Sequence, residues 1–400
     1  MLQKTFLTPF YISTFCQSVF KLITPFYVIY FFSLWLDFRQ IALISSFRSI
    51  IWLLFEIPTG VIADLYGKKF SVILGYILSA LTLFLIPLTE SFLRLSAIFC
   101  FDALFQTLFT GSDNAWVADR IEQEDPSQMR KFFLRQRSIR NLGYILAGLG
   151  GGLVVKFLGM DYLRYIYGLG ILLSAFILFW APDGNKWYEE EGEALRSKKF
   201  WQHIKKSFEY VKQHKILWFL FGAMGLFLIV DELLGLIWAP YMETLWFSIE
   251  NLGYLASIIG VIGIGVPLLV EKLLQKKKNP AFILSGTIGI FIVLLGIAGR
   301  YSALRMIIGV YLLHHLIDDI LFPVDTMLTN SLVEKNKRAT VLSMKSVVEN
   351  LSSIIWAPLM GVILGYISFA QGLFIAGGLM LMMVVLYACV RRRTGQPLKN

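Results

Sequence analysis

Two histidines are each followed four residues later by an aspartate: His314 by Asp318 and His315 by Asp319. On a helix each pair shares a face, and histidine is the side chain that titrates nearest neutral pH. Such a cluster can handle protons or form a polar patch. A metal site needs convergent ligands of fixed geometry, and two His and two Asp on one helix are weak grounds for one; no metal and no cofactor are expected. Asp231 and Glu232 are adjacent, so on a helix they project about 100° apart, and at least one should face a cavity and bind substrate or a proton. Lys21, Arg48, Asp102, Asp113 and Arg140 also stand in apolar surroundings. Lys21 can pair with Asp102 or hold a substrate anion. Lys345 and Glu349 are four apart and spaced to pair.

What must position these residues is a set of long apolar helices. The chain of 400 residues is 56% hydrophobic and only 16% charged, against roughly 25% charged in soluble proteins. Residues 70–89, 165–181 and 281–299 carry no charge at all. Each approaches the ~20 residues that cross a bilayer as a helix, the form that satisfies its own backbone hydrogen bonds without water. Twelve such segments are expected, near 6–35, 41–63, 70–89, 95–118, 137–158, 163–182, 215–240, 251–271, 280–299, 304–326, 340–366 and 368–390. The predicted architecture is an all-α polytopic membrane protein with 12 transmembrane helices in two six-helix bundles, 1–182 and 215–400. The connection at 183–214 contains a basic amphipathic stretch expected to form a helix at the inner membrane surface.

Most of the 37 Lys and Arg fall in connections that lie on one side when the N-terminus is cytoplasmic, which places both termini inside. The formal charge of +10 therefore reflects topology, and no nucleic-acid partner is expected. Cys16, Cys100 and Cys389 lie in apolar segments and read as small buried hydrophobes. Spans 3, 6, 9 and 12 are expected to carry no Asp, Glu, Lys, Arg or His and to support the others from outside. Trp35, Trp180, Trp238 and Trp246 are expected at span ends as an interfacial belt.

Between spans 2 and 3 runs Gly60-Val-Ile-Ala-Asp64-Leu-Tyr-Gly67-Lys68-Lys69. This resembles the signature loop of the major facilitator superfamily, Gly-x-x-x-Asp-x-x-Gly-(Arg/Lys)-(Arg/Lys), and the resemblance covers the whole chain. Gly60 would allow close helix contact and Gly67 a tight turn. Asp64 could cap a neighbouring helix. Span 5 carries Gly143, Ala147, Gly148, Gly151 and Gly152, similar to a glycine motif of antiporters and equally fitting for close helix packing. Thr107 stands where the span-4 motif of the family has an arginine tied to proton coupling.

The resemblance implies a secondary transporter of the bacterial inner membrane working by alternating access, monomeric and not an enzyme. Its partners would be the lipid bilayer, a small-molecule substrate and protons. Its substrate and proton pathway would draw on Lys21, Arg48, Asp102, Asp231, Glu232, His314, His315, Asp318 and Glu349. Proton-coupled export of a drug or metabolite is the first expectation. The alternative is uptake or facilitated movement of a polar, zwitterionic or carboxylate-bearing solute, siderophore-like metabolites included. A non-transporting membrane sensor is the different-class alternative. No G-x-x-x-x-G-K-(S/T) loop occurs in the sequence, which disfavours an ATP-driven pump.

Overall fold

The computed structural model describes residues 6–183, 212, 214–275, 280–333 and 338–393. The predicted amphipathic stretch at 198–215 lies almost wholly outside the described residues, as does the side chain of Glu349.

Every described regular element is helical. In chain order they are α1 Thr8–Val19, α2 Tyr27–Ser33, α3 Phe38–Tyr66, α4 Lys68–Leu85, α5 Phe92–Phe109, α6 Ser112–Glu124, α7 Met129–Phe157, α8 Asp161–Phe179, α9 Lys215–Thr244, α10 Asn251–Gln275, α11 Pro280–Tyr301, α12 Leu304–Leu332, α13 Arg338–Leu364 and α14 Phe369–Arg393. Ten stretches among the described residues are long and apolar enough to cross a bilayer, and Asn251–Val266 and Asn350–Leu364 add two shorter apolar ones. These make the twelve expected spans. There are more helices than spans because spans 1 and 4 are each broken in two, which hydropathy alone does not reveal.

Two compact units emerge from the contacts. The first comprises residues 1–37, 47–193 and 248–260. In it α1 packs on α7 and α8, and α4 on α5 and α8. The second comprises residues 38–46, 194–247 and 261–400, with α14 packed on α9 and α11, and α9 on α13. Each unit thus includes a helix end from the opposite half of the sequence. In the first, the Ser257 hydroxyl donates to the Ile145 carbonyl at 2.7 Å. In the second, the Ser46 hydroxyl donates to the Ile354 carbonyl at 2.8 Å.

Small residues set the closest approaches. A Cβ on Gly75 would meet Leu108 Cβ and the Phe105 carbonyl, both at 2.9 Å. On α7, Gly143 and Gly151 back onto Ser18, Leu22 and Phe26, while Gly148 and Gly152 back onto 250–257. The glycine stripe of span 5 is a two-sided packing surface. Gly60 differs: a Cβ there would meet nothing within 4 Å, so the expected close helix contact is not made.

Gly75→Ala should lower stability by about 1–3 kcal/mol through overpacking, because backbone oxygen cannot move aside as a side-chain tip can. Gly60→Ala should be neutral or stabilising by up to about 1 kcal/mol, as for a helical glycine with open space around it. Thermal unfolding of the two variants in detergent checks the contrast.

Candidate functional site

The breaks in spans 1 and 4 lie beside one cavity in the first unit. Helix α1 ends at Val19, closed by the Phe20 amide donating to Cys16 O at 3.1 Å. The chain resumes as a 3-10 turn at Thr24–Phe26, where Pro25 fixes the backbone and offers no N–H. Lys21 therefore sits in the break and not on a continuous helix. Span 4 breaks at Thr110, which is extended, and Gly111, whose φ of 82° suits glycine. Asp113 follows in the first turn of α6, where a negative charge meets the positive helix end, and its carboxylate accepts from Asn114 N at 2.6 Å.

The cavity encloses about 180 Å³ and is lined by Thr14, Gln17, Ser18, Lys21, Gln106, Phe109, Asp113, Gln136, Arg140, Tyr144, Tyr167 and Ile171. Drug-sized pockets measure ~300 Å³ or more. Of its twelve lining residues only Phe109 and Ile171 are purely apolar. Several polar groups are already oriented by neighbours. Gln17 donates to Ser13 Oγ at 2.9 Å and to Tyr76 OH at 2.7 Å, and Gln136 donates to Thr14 Oγ1 at 3.3 Å. The sequence reading overlooked the glutamines, although they stand four residues from charged groups at Gln17–Lys21, Asp102–Gln106 and Gln136–Arg140. An amide one turn from a charge inside an apolar segment is a legible signal.

Asp102 is 3% exposed, and its expected pairing with Lys21 gives way to another set of partners. It accepts from Ser79 Oγ at 2.7 Å, Thr82 Oγ1 at 3.2 Å and Gln106 Nε2 at 2.7 Å, and Arg48 Nη2 lies 3.9 Å away. Span 6 also departs from expectation. It carries Arg164 on α8, 4% exposed, beneath the rings of Tyr30, Phe99 and Tyr27 at 5.0, 5.3 and 5.8 Å. Its nearness to the span end made it read as a connection residue.

The second unit holds the histidines. His314 is 1% exposed, and Trp238 Nε1 donates to its Nδ1 at 3.2 Å. An indole N–H can only donate, so Nδ1 is the accepting nitrogen and the proton of the neutral ring is on Nε2. That Nε2 lies 3.6 Å from Asp231 Oδ1 and 3.8 Å from Asp318 Oδ1. His315 pairs with Asp318 at 3.6 Å, one residue short of the expected Asp319. The donor atoms of His314, His315 and Asp318 lie within 4.8 Å of one another. A metal-bound histidine ordinarily donates from its other nitrogen to a carbonyl or carboxylate; here that nitrogen accepts from Trp238. The trio is therefore poorly matched to a metal and well matched to proton handling between carboxylates. Trp238, expected in the interfacial belt, is 3% exposed, whereas Trp35, Trp180 and Trp246 are 86%, 72% and 96% exposed.

Glu232 accepts from Ser353 Oγ at 2.6 Å. Lys345 donates to Asp325 at 3.0 Å, and Asp325 also accepts from Tyr387 OH at 3.0 Å; the side chain of Glu349, its expected partner, lies outside the described residues. In the signature loop, Gly67 has φ 93° and opens α4. Lys68 pairs with Asp119, and Lys69 donates to the Ala181 carbonyl at 2.8 Å. The loop thus ties the ends of spans 2 and 3 to those of spans 4 and 6.

A helical bundle broken at two spans around a polar cavity, with a buried histidine beside partly exposed acids in its second unit, has the features of a polytopic membrane transporter. The sequence profile of the Major Facilitator Superfamily matches residues 10–313, and the chain belongs to that superfamily. It is 26% identical over 376 residues to the MFS-type transporter YxaM of Bacillus subtilis (strain 168), itself uncharacterized, covering 92% of this chain and 91% of that one. Among solved structures it is similar to the nucleoside transporter NupG, with TM-score 0.80 and 13% identity over 97% of this chain and 99% of that one. It also resembles a D-xylose-proton symporter, with TM-score 0.70 and 14% identity over 96% and 97%. At these identities the structural likenesses speak for the fold alone.

Trp238→Phe leaves His314 Nδ1 buried without its donor and should cost about 1–3 kcal/mol, read from thermal unfolding. Nitrogen-15 spectra of histidine-labelled parent protein should show one buried imidazole with Nδ1 unprotonated. Breaking the other buried pair by Lys345→Met should cost about 3–5 kcal/mol, and Lys345→Met with Asp325→Leu should recover part of it.

Proposed function

We propose that this protein is a proton-coupled secondary transporter of a small, polar organic solute bearing a carboxylate or a zwitterionic head. It is no enzyme; it acts as a monomer in the cytoplasmic membrane, with both termini inside, and works by alternating access. The observation that carries the substrate class is the cavity of about 180 Å³ with Lys21, Arg140 and Asp113 in its wall. Its size and its polar lining favour a compact polar solute over an amphipathic drug. Lys21 and Arg140 are placed to hold an anionic group and Asp113 a cationic one. Three amides and two phenols supply directional hydrogen bonds that can select among similar solutes.

Proton coupling is supported by the second unit. Asp231 and Asp318 both face the protonated nitrogen of His314. The indole of Trp238 keeps that ring a fixed donor, so the carboxylates are the groups that exchange protons with the medium. Thr107 in place of the family's span-4 arginine is consistent with coupling located here.

Transport assays in proteoliposomes test both parts. Lys21→Ala and Arg140→Gln should each weaken binding of the transported solute about tenfold or more, as expected when a charge-assisted hydrogen bond is lost. Asp231→Asn or Asp318→Asn should abolish gradient-driven uptake into vesicles while solute exchange persists. A parent protein that moves solute with no proton flux would overturn the coupling, and binding indifferent to Lys21 and Arg140 would overturn the cavity assignment. Cysteines introduced at Gln202 and in the C-terminal tail should resist impermeant reagents in intact cells; labelling at either would reverse the orientation.

A further inference from the structure

Arg164 occupies a site where a guanidinium has no reason to be unless something pairs with it. The residue is 4% exposed, and its Nε and Nη2 are buried without a hydrogen-bond partner. Three rings surround it, those of Tyr30, Phe99 and Tyr27, and no carboxylate among the described residues lies within ion-pair distance. A guanidinium does not shed its proton in a protein, so the charge cannot be relieved by titration. Ring faces attract a cation but do not satisfy two buried N–H donors.

A second guanidinium stands beside the same ring. Arg48 lies 5.7 Å from the Phe99 centroid, and its Nε is likewise buried and unpartnered. Asp102 is the carboxylate nearest Arg48, at 3.9 Å, and it already accepts three other hydrogen bonds. Lys21 is close enough for its charge to interact with those of Arg48, Arg140 and Arg164. Arg48, Arg164, Arg140 and Lys21 thus stand among three acids, Asp102, Asp113 and, beside Tyr30, Asp161.

We propose that Arg164 and Arg48 form an oxyanion-binding subsite beside the cavity, receiving the carboxylate or phosphoryl group of the transported solute between two guanidinium forks. Such forks match a planar carboxylate or a phosphate in geometry as well as charge. Rings flank Arg164, Arg48 remains partly exposed, and Lys21, in the break of span 1, lines the cavity. This inference rests on the proposed polar-solute reading and extends the hold on the solute's anionic end from Lys21 in the cavity wall to Arg164 and Arg48 behind it.

The test uses the purified full-length protein. Its melting temperature is measured against acetate, succinate and inorganic phosphate at constant ionic strength. A saturable rise is expected with at least one of these oxyanions. A response to the carboxylates alone assigns a carboxylate head group, and a response to phosphate alone assigns a phosphoryl one. Arg164→Gln should raise the half-saturating concentration about tenfold or more. Arg164→Lys, which keeps the charge and loses the fork, should lie between it and the parent and serves if Arg164→Gln fails to fold. The exposed Arg94→Gln should match the parent. No saturable response to any of the three oxyanions, or equal half-saturation in the parent and both Arg164 variants, overturns the subsite. Unchanged oxyanion binding in Arg164 variants combined with its loss in Lys21→Ala would remove this subsite and leave the cavity reading standing. The reverse would remove the cavity reading instead.

Discussion

A charge inside a helical bundle that spans a bilayer must find its partner within the bundle, because neither water nor lipid will supply one. That constraint organises both units. Asp102 shows it met in full: three hydroxyl or amide donors and a guanidinium surround one carboxylate. Asp325 shows a second solution, with Lys345, at 5% exposure, and Tyr387 closing the set. These satisfied networks hold the helices in register. Other buried groups, Arg164 Nη2, His314 Nε2 and Asp318 Oδ1 among them, have no hydrogen-bond partner, and the proposed ligand and proton sites draw on these. Structure and function divide along the line between complete and incomplete pairing.

The two units meet the constraint with opposite charge. The first gathers arginines and a lysine around three acids, and the second gathers acids around two histidines. The proposed coupling of an anionic solute to protons would draw on both kinds of place. The broken helices bring backbone into the account as well. At Gly111 and around Lys21 the main chain leaves the helix beside the cavity, and irregular backbone inside a membrane protein is tolerated where it lines a polar space.

Much of this was legible in the sequence. Apolar runs of span length gave the twelve spans, and Gly60 to Lys69 gave the superfamily. The spacing rule found His314 with Asp318 because both lie on α12. It does not find Asp325, which Lys345 reaches from another helix. It has nothing to say of Asp102, whose donors Ser79 and Thr82 and neighbouring Arg48 come from other helices. Pairing within a helix is written in the spacing, but pairing between helices depends on how they rotate, which a single sequence does not state. Trp238 was misplaced for the same reason: proximity to a span end says nothing about which way the indole turns. Arg164 stands one turn from a span end, and only the rings of Tyr30 and Phe99, from two other helices, make that position interior.

Helix α7 meets its neighbours on both sides through glycine, with Gly148 and Gly152 lying against Gly253, Glu250 and Tyr254. A seam of bare backbone has few side chains to interlock. Dispersion attraction scales with the number of touching atoms, so such a seam holds by close fit and one serine hydroxyl, and not by interdigitation. The side chains that do enter it are few: the Tyr254 ring against Gly152, Ile145 against Gly260, and buried Ser257. The seam behaves as a smooth bearing does: tight at rest, with little friction when one face slides from the other.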